Sequence, residues 1–223
     1  MQGLPLFVHF DHVLVLVFGC GSVAQRKVNR LLACGAQVDV ISDAVPDHWR
    51  PLVTDERWLP WQRPSSASAT PNRARVFLSE VNAQIVQDMT DTWLAQYRLV
   101  IPCLPDASLN REIAQRSARL GCLVNSVDGS YDGPLRVSFG TVRKLGLVDL
   151  VVHARGNPSL AKAIADRCQV IAKQERWDQK GDGLMAVRQY LKKRKMPSSD
   201  RSAFLGRIAQ RLFRSTKGSV KDI

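Results

Sequence analysis

The chain has no pair of cysteines close enough for a CxxC metal site. Cys20, Cys34, Cys103, Cys122 and Cys168 stand far apart. Their odd number, with four of them in apolar stretches, reads as reduced and mostly buried thiols, which argues for the cytoplasm. No two histidines have metal-ligand spacing, so no stored metal site is expected. Long hydrophobic runs are also missing. The longest, Val13 to Phe18, is far too short to cross a bilayer. No basic segment leads into an apolar core at the N-terminus, so no signal peptide is read. Internal repeats, aromatic-rich RNA-binding stretches and zinc-finger spacings are absent, which argues against a nucleic-acid module. Acids are in the minority, 20 against 32 basic residues, for a net charge of +12. Such an excess points to a polyanionic partner, whether nucleic acid, an anionic membrane or an acidic small molecule; solvated helix faces are the plainer alternative.

What is present is ordinary globular material: 223 residues, 45% hydrophobic, enough for one full core and a smaller appended domain. Val13 to Phe18 is continuous and rich in β-branched residues, the pattern of a buried parallel strand. Residues 23–34 follow as a helix with Val28, Leu31 and Leu32 on its apolar stripe and Gly35 at its end. Residues 38–41 form a second strand, which completes a β–turn–α–β unit. Residues 62–75 read as a break, with a low-complexity loop from Pro64 to Pro71. Further strands are expected over 75–79, 99–101 and 122–125, and helices over 91–96 and 108–120. This alternation implies a doubly wound Rossmann-type α/β sheet. Beyond Asp128, residues 135–142 and 147–153 look like paired strands without a helix between them. A helix then starts at Pro158 with Leu160, Ile164 and Cys168 on one face, and a second, basic helix covers 203–213 after the run Lys192 to Lys195. The expected division is a Rossmann domain over 1–127, a small mixed α/β segment over 128–160 and a helical region over 161–223.

The turn Gly19-Cys20-Gly21-Ser22-Val23-Ala24 gives the first domain its chemistry. In a G-x-G-x-x-A spacing the first glycine lets the chain turn off the strand. The second lets the backbone approach a pyrophosphate, and the alanine lets the helix pack on the sheet. The pyrophosphate then meets free N–H groups at the helix N-terminus. The spacing alone is weak evidence; strand, helix and second strand around it make it a dinucleotide signal, against the alternative of a packing turn. The carboxylate that reads the ribose is either Asp39, inside the second strand, or Asp43, just past its end. An acid at Asp43 favours NAD, since it repels a 2′-phosphate; its other reading is a turn residue before Pro46.

Three stretches make the chain similar to a known family. Leu4-Pro5-Leu6-Phe7 leads in, Val15 to Lys27 carries the glycine turn followed by Val23-Ala24-Gln25-Arg26-Lys27, and Leu31-Leu32 with Gly35 to Val38 follows. These resemble the precorrin-2 dehydrogenase / sirohydrochlorin ferrochelatase family of siroheme synthesis. Leu109-Asn110, Asn125-Ser126-Val127-Asp128 and Gly156 to Ala161 extend the resemblance over roughly residues 3–165. It implies an NAD-binding domain, a dimerisation segment and a helical C-terminal region, in a homodimer that oxidises precorrin-2 to sirohydrochlorin with NAD. In some members it also implies iron insertion. It carries cofactor contacts to Gly19, Cys20, Gly21, Ser22, Val23, Asp43 and Ala44, and the catalytic role to Asp128. The bottom-up reading of Asp128 is a base at the carboxyl end of the fifth strand, or the opening residue of an Asp-Gly turn. A basic chain also suits a substrate with eight carboxylates. Departures from the family pattern are Cys20, the run Ile101 to Asp106, and His153-Ala154-Arg155. They motivate the alternative of a catalytically silent tetrapyrrole- or NAD-binding relative. His153, at a strand end, is a structural residue or an aid to iron chelation.

Overall fold

The computed structural model describes residues 6–47, 49, 53–56, 74–78, 81–126, 129, 131–154 and 157–213. They divide into two units, 1–138 and 139–223.

The first unit is a six-stranded parallel sheet in the order β3-β4-β2-β1-β5-β6. Its strands are β1 (Leu14–Phe18), β2 (Gln37–Ser42), β3 (Val53–Glu56), β4 (Ala74–Leu78), β5 (Leu99–Pro102) and β6 (Leu123–Val124). The helices are α1 (Ser22–Leu32), α2 (Ala83–Asp88), α3 (Asp91–Leu94) and α4 (Ala107–Arg119). Val15 to Phe18 in β1 and Leu99 to Ile101 in β5 are fully buried, which is why neither strand alternates with polar residues. Each large apolar side chain buried this way contributes about 1.5–3 kcal/mol.

On α1 the buried positions are Ala24, Val28, Leu31 and Leu32. Gly35, at φ +79°, ends the helix as expected. Its N–H donates to the Leu32 carbonyl and that of Ala36 to the Leu31 carbonyl, which satisfies the last free acceptors. The expected strand at 75–79 is β4. Strand β3 and helix α2 were not among the expected elements. The loop Pro64 to Pro71 lies outside the described residues.

The second unit contains an antiparallel hairpin, β7 (Thr141–Leu145) and β8 (Val148–Val152), and the helices α5 (Pro158–Gln174), α6 (Trp177–Lys193) and α7 (Ser198–Leu212). The paired strands are present, but the first was expected over 135–142 and begins at Thr141. Gly146, at φ +62°, makes a two-residue turn with Leu147, so the strands must end at Leu145 and restart at Val148. Residues 135–137 run beside β6 instead: Val124 donates to the Leu135 carbonyl (3.0 Å) and Val137 to that of Val124 (2.8 Å).

Helix α5 packs on the hairpin. Its buried positions are Ala161, Ala165 and Ala172, while Leu160 and Ile164 of the expected stripe are exposed. Asn157 caps α5 by accepting from the Leu160 N–H (2.9 Å), with Pro158 in the first turn. Helix α7, which begins at Ser198, packs against α6. Trp177 meets Phe213 edge-on at 5.9 Å.

Candidate functional site

The strand order reverses at β1. From β1 the sheet extends through β2, β4 and β3 on one side, formed first along the chain, and through β5 and β6 on the other, formed afterwards. An open parallel sheet binds ligands outside its carboxyl ends at such a reversal, and the glycine turn leaves β1 there. Gly19 has φ +92°, and a Cβ on it would stand 2.8 Å from the Cys103 carbonyl oxygen, so no other residue fits. Gly21 is the opposite case: a Cβ there would meet nothing within 4 Å. The open space lies beside the start of α1. Gly21 is the N-cap residue and no side chain caps the helix, whose first backbone bond runs from Gln25 N–H to the Gly21 carbonyl (3.0 Å). The N–H groups of Ser22 and Val23 and the positive end of the helix dipole therefore face a space that accepts an anion.

The next strand brings Asp43 to the turn. Phe18 pairs with Ile41 in the ladder, and the Gly19 N–H donates to the Ile41 carbonyl (2.8 Å). Cys20 is buried, and burial pushes its thiol pKa up; a hydrogen bond with Ser42 pulls it down and the nearby Asp43 adds to the rise. The thiol thus stays protonated and forms an inert wall. The Ser42 hydroxyl donates to the Asp43 carboxylate at 3.2 Å. Asp43 and Ala44 are exposed beyond β2.

Asp39 is committed elsewhere. Arg75 donates to its carboxylate through Nε (2.6 Å) and Nη2 (2.7 Å), and the Tyr97 hydroxyl donates at 2.6 Å. Of the two acids open in the sequence, Asp43 alone is free to face a ligand.

At the ends of β5 and β6 two asparagines order the backbone. Asn110 accepts from the Leu104 N–H (3.0 Å) and donates to the Leu104 carbonyl (2.9 Å), which pins the turn after β5. Asp106 caps α4 from the same turn, accepting from Ser108 (2.7 Å) and Leu109 (3.1 Å). Asn125 is buried directly after β6. Its N–H donates to the Val100 carbonyl (3.0 Å), its Nδ2 to the Val137 carbonyl (2.6 Å), and its Oδ1 accepts from the Lys27 ammonium. Asp128, three residues further on, lies outside the described residues.

Lys27, which reaches Asn125 from α1, was not among the expected residues, although its position held a signal. It falls three residues after Ala24 and four before Leu31, on the buried stripe of α1, where a lysine is out of place. Burial lowers its pKa; the neighbouring Cys103 opposes this, and Arg26 and Arg30 add to it.

A cleft of about 700 Å³ opens between α4 and the segment beyond Gly129, lined among others by Arg111, Arg119, Tyr131 and Asp132. His153 is exposed just past β8. Among the described residues, no three His, Cys, Asp or Glu side chains gather as a metal site, and no helix is long and apolar enough to cross a membrane. All five cysteines are free thiols.

A family model described as "Putative NAD(P)-binding" matches residues 6–139. Siroheme synthase 1 of Yersinia enterocolitica is 30% identical over 176 residues, which cover 77% of this chain and 31% of that protein. A protein of Methanocaldococcus jannaschii named "Putative precorrin-2 dehydrogenase" is 23% identical over 123 residues, 55% of this chain and 52% of that one. The chain thus spans about half or less of the length of these curated relatives. Among solved structures, SirC, a precorrin-2 dehydrogenase, superposes with a TM-score of 0.60 at 18% identity, covering 92% of this chain and 89% of that one. The Rossmann-type sheet followed by a helical C-terminal region is the shared fold.

Proposed function

The chain belongs to the NAD(P)-binding family whose model it matches, and from that premise we propose that it is an NAD-dependent precorrin-2 dehydrogenase, forming sirohydrochlorin in siroheme synthesis. The observation that carries the cofactor reading is the uncapped start of α1 facing the open space at Gly21, at the reversal of the sheet. Gly19 turns the chain, Cys20 walls the turn, and the N–H groups of Ser22 and Val23 hold the pyrophosphate. Asp43 accepts from the ribose hydroxyls and repels a 2′-phosphate, with Ala44 leaving room beside it. When bound, NAD supplies the hydride acceptor. Asp128 takes the proton released as the substrate is oxidised. Arg111 and Arg119, on the cleft beside the Gly129 segment, suit the carboxylates of such a substrate.

The names of the relatives support the substrate. The free thiols support a cytoplasmic setting. A homodimer is supported by the apolar surface of the second unit, where Leu147, Val148 and Val151 of the hairpin and Leu160 and Ile164 of α5 are exposed.

The test is anaerobic NADH formation from precorrin-2, with calorimetry of both cofactors. NADH should form, and NAD should bind more tightly than NADP. Tighter NADP binding overturns the role of Asp43. A tetrapyrrole bound without turnover would favour a silent relative, the reading motivated by the apolar run Pro102 to Pro105 beside Gly19. At one physiological salt concentration, sirohydrochlorin should outbind duplex DNA; the reverse overturns the assignment of the basic charge to the substrate.

A further inference from the structure

The glycine turn and Asp43 would hold the adenosine and pyrophosphate half of a dinucleotide. The strand order says where the other half goes. A dinucleotide lies across the reversal point, so with Asp43 past β2 on one side, the nicotinamide half falls at the carboxyl ends of β5 and β6. The residues directly beyond those ends are Cys103 and Asn125. Both interact with Lys27, which reaches across from α1: its ammonium donates to Asn125 Oδ1, and Cys103 acts on it electrostatically.

Asn125 is itself held by Val100 and Val137, so the carbonyl that accepts from Lys27 is fixed in place. A half-buried ammonium is thereby held at the β5–β6 edge, on the one helix whose start meets the pyrophosphate.

We propose that Lys27 is a positioning residue that sets the redox poise of the bound cofactor: its ammonium, fixed by Asn125 at the nicotinamide half of the site, disfavours the cationic oxidised ring relative to the neutral reduced one. The consequence is directional. A site that holds NADH better than NAD+ makes bound NAD+ a stronger hydride acceptor, which suits oxidation of the substrate. Burial strengthens the effect, because less water screens the two charges. The inference rests on the dinucleotide reading of the Gly19–Val23 turn.

The experiment measures dissociation constants of NAD+, NADH and ADP-ribose for the wild type, Lys27→Met and Lys27→Arg. ADP-ribose lacks the nicotinamide and reports the turn alone. In Lys27→Met its affinity should stay within about twofold of wild type, while the preference for NADH over NAD+ falls severalfold, as removal of a unit charge beside the ring requires. Lys27→Arg keeps the charge and should keep the preference. An unchanged preference in Lys27→Met overturns the inference. So does an equal loss for all three ligands, which is the mark of a merely structural tie. If Lys27→Met fails to fold, Lys27→Gln carries the same comparison with a polar neutral group. A wild type that binds ADP-ribose and both nucleotides with no preference for NADH overturns the poise and leaves the cofactor reading standing. A wild type that binds none of them overturns both.

Discussion

The two units differ most in their charge. Residues 1–138 carry 13 basic and 13 acidic side chains; residues 139–223 carry 19 basic and 7 acidic. The whole net charge of +12 therefore belongs to the second unit, and the unit with the cofactor turn is neutral. Their apolar side chains differ in the same sense. In the first unit large residues such as Phe18, Ile41, Phe77 and Leu94 are buried together. Among the described residues of the second, the buried apolar set is Leu145, Ala161, Ala165, Ala172 and Leu191, while Leu147, Leu160, Ile164 and Phe204 are among those exposed. The first unit buries most of its large apolar side chains, with Leu6, Phe7, Val8 and Leu135 among those left exposed. The other presents apolar and cationic surface together, the features on which the proposed second copy and acidic substrate rest.

The contrast makes the first unit the place where single substitutions abolish chemistry or folding. Asp128→Asn removes a proton acceptor while keeping size, so NADH formation should fall on the order of 10²–10⁴-fold with NAD affinity nearly unchanged. Turnover near wild type would remove Asp128 from the reaction. Loss of activity together with loss of the folded state would mark it as a turn residue. Next in size is Arg75→Met, which leaves the buried Asp39 carboxylate without its cation. Urea unfolding should show a loss of about 3–5 kcal/mol, the usual cost of stranding one partner of a buried pair. A loss under 1 kcal/mol would mean that Tyr97 alone satisfies Asp39.

The second unit should respond in assembly rather than in folding. Ile164→Asp, on the exposed face of α5, should weaken the dimer by about 2–4 kcal/mol, roughly 30- to 1000-fold in dissociation constant, with helical content retained. Sedimentation equilibrium reads the constant directly. A wild type that is monomeric at all concentrations would end the dimer reading.

What the sequence disclosed follows the range of the interactions involved. The run Val13 to Phe18, the turn, the helix and its Gly35 end were legible because each is set by neighbours within a few residues. The strand Val53–Glu56 was not, since two of its four residues are acids and its place in the sheet comes from pairing with β4. Helix α6 contains Gly181 and Gly183, which weaken the helical pattern before the basic run begins. The choice between Asp39 and Asp43 could not be made locally, because Arg75 and Tyr97 lie 36 and 58 residues beyond Asp39. Lys27 needed the reverse of the usual reading: a charge on an apolar stripe is a flag, and its partner Asn125 is 98 residues away.

The clamp of Asn110 on Leu104 bears on kinetics. The wall that Gly19 faces, the Cys103 carbonyl, belongs to a turn already fixed by two hydrogen bonds before any ligand arrives. Little of that wall must be ordered when a nucleotide enters, so the entropic toll on association there is small. Cofactor analogues that differ only at the pyrophosphate should then arrive at similar rates and be told apart by how long they stay.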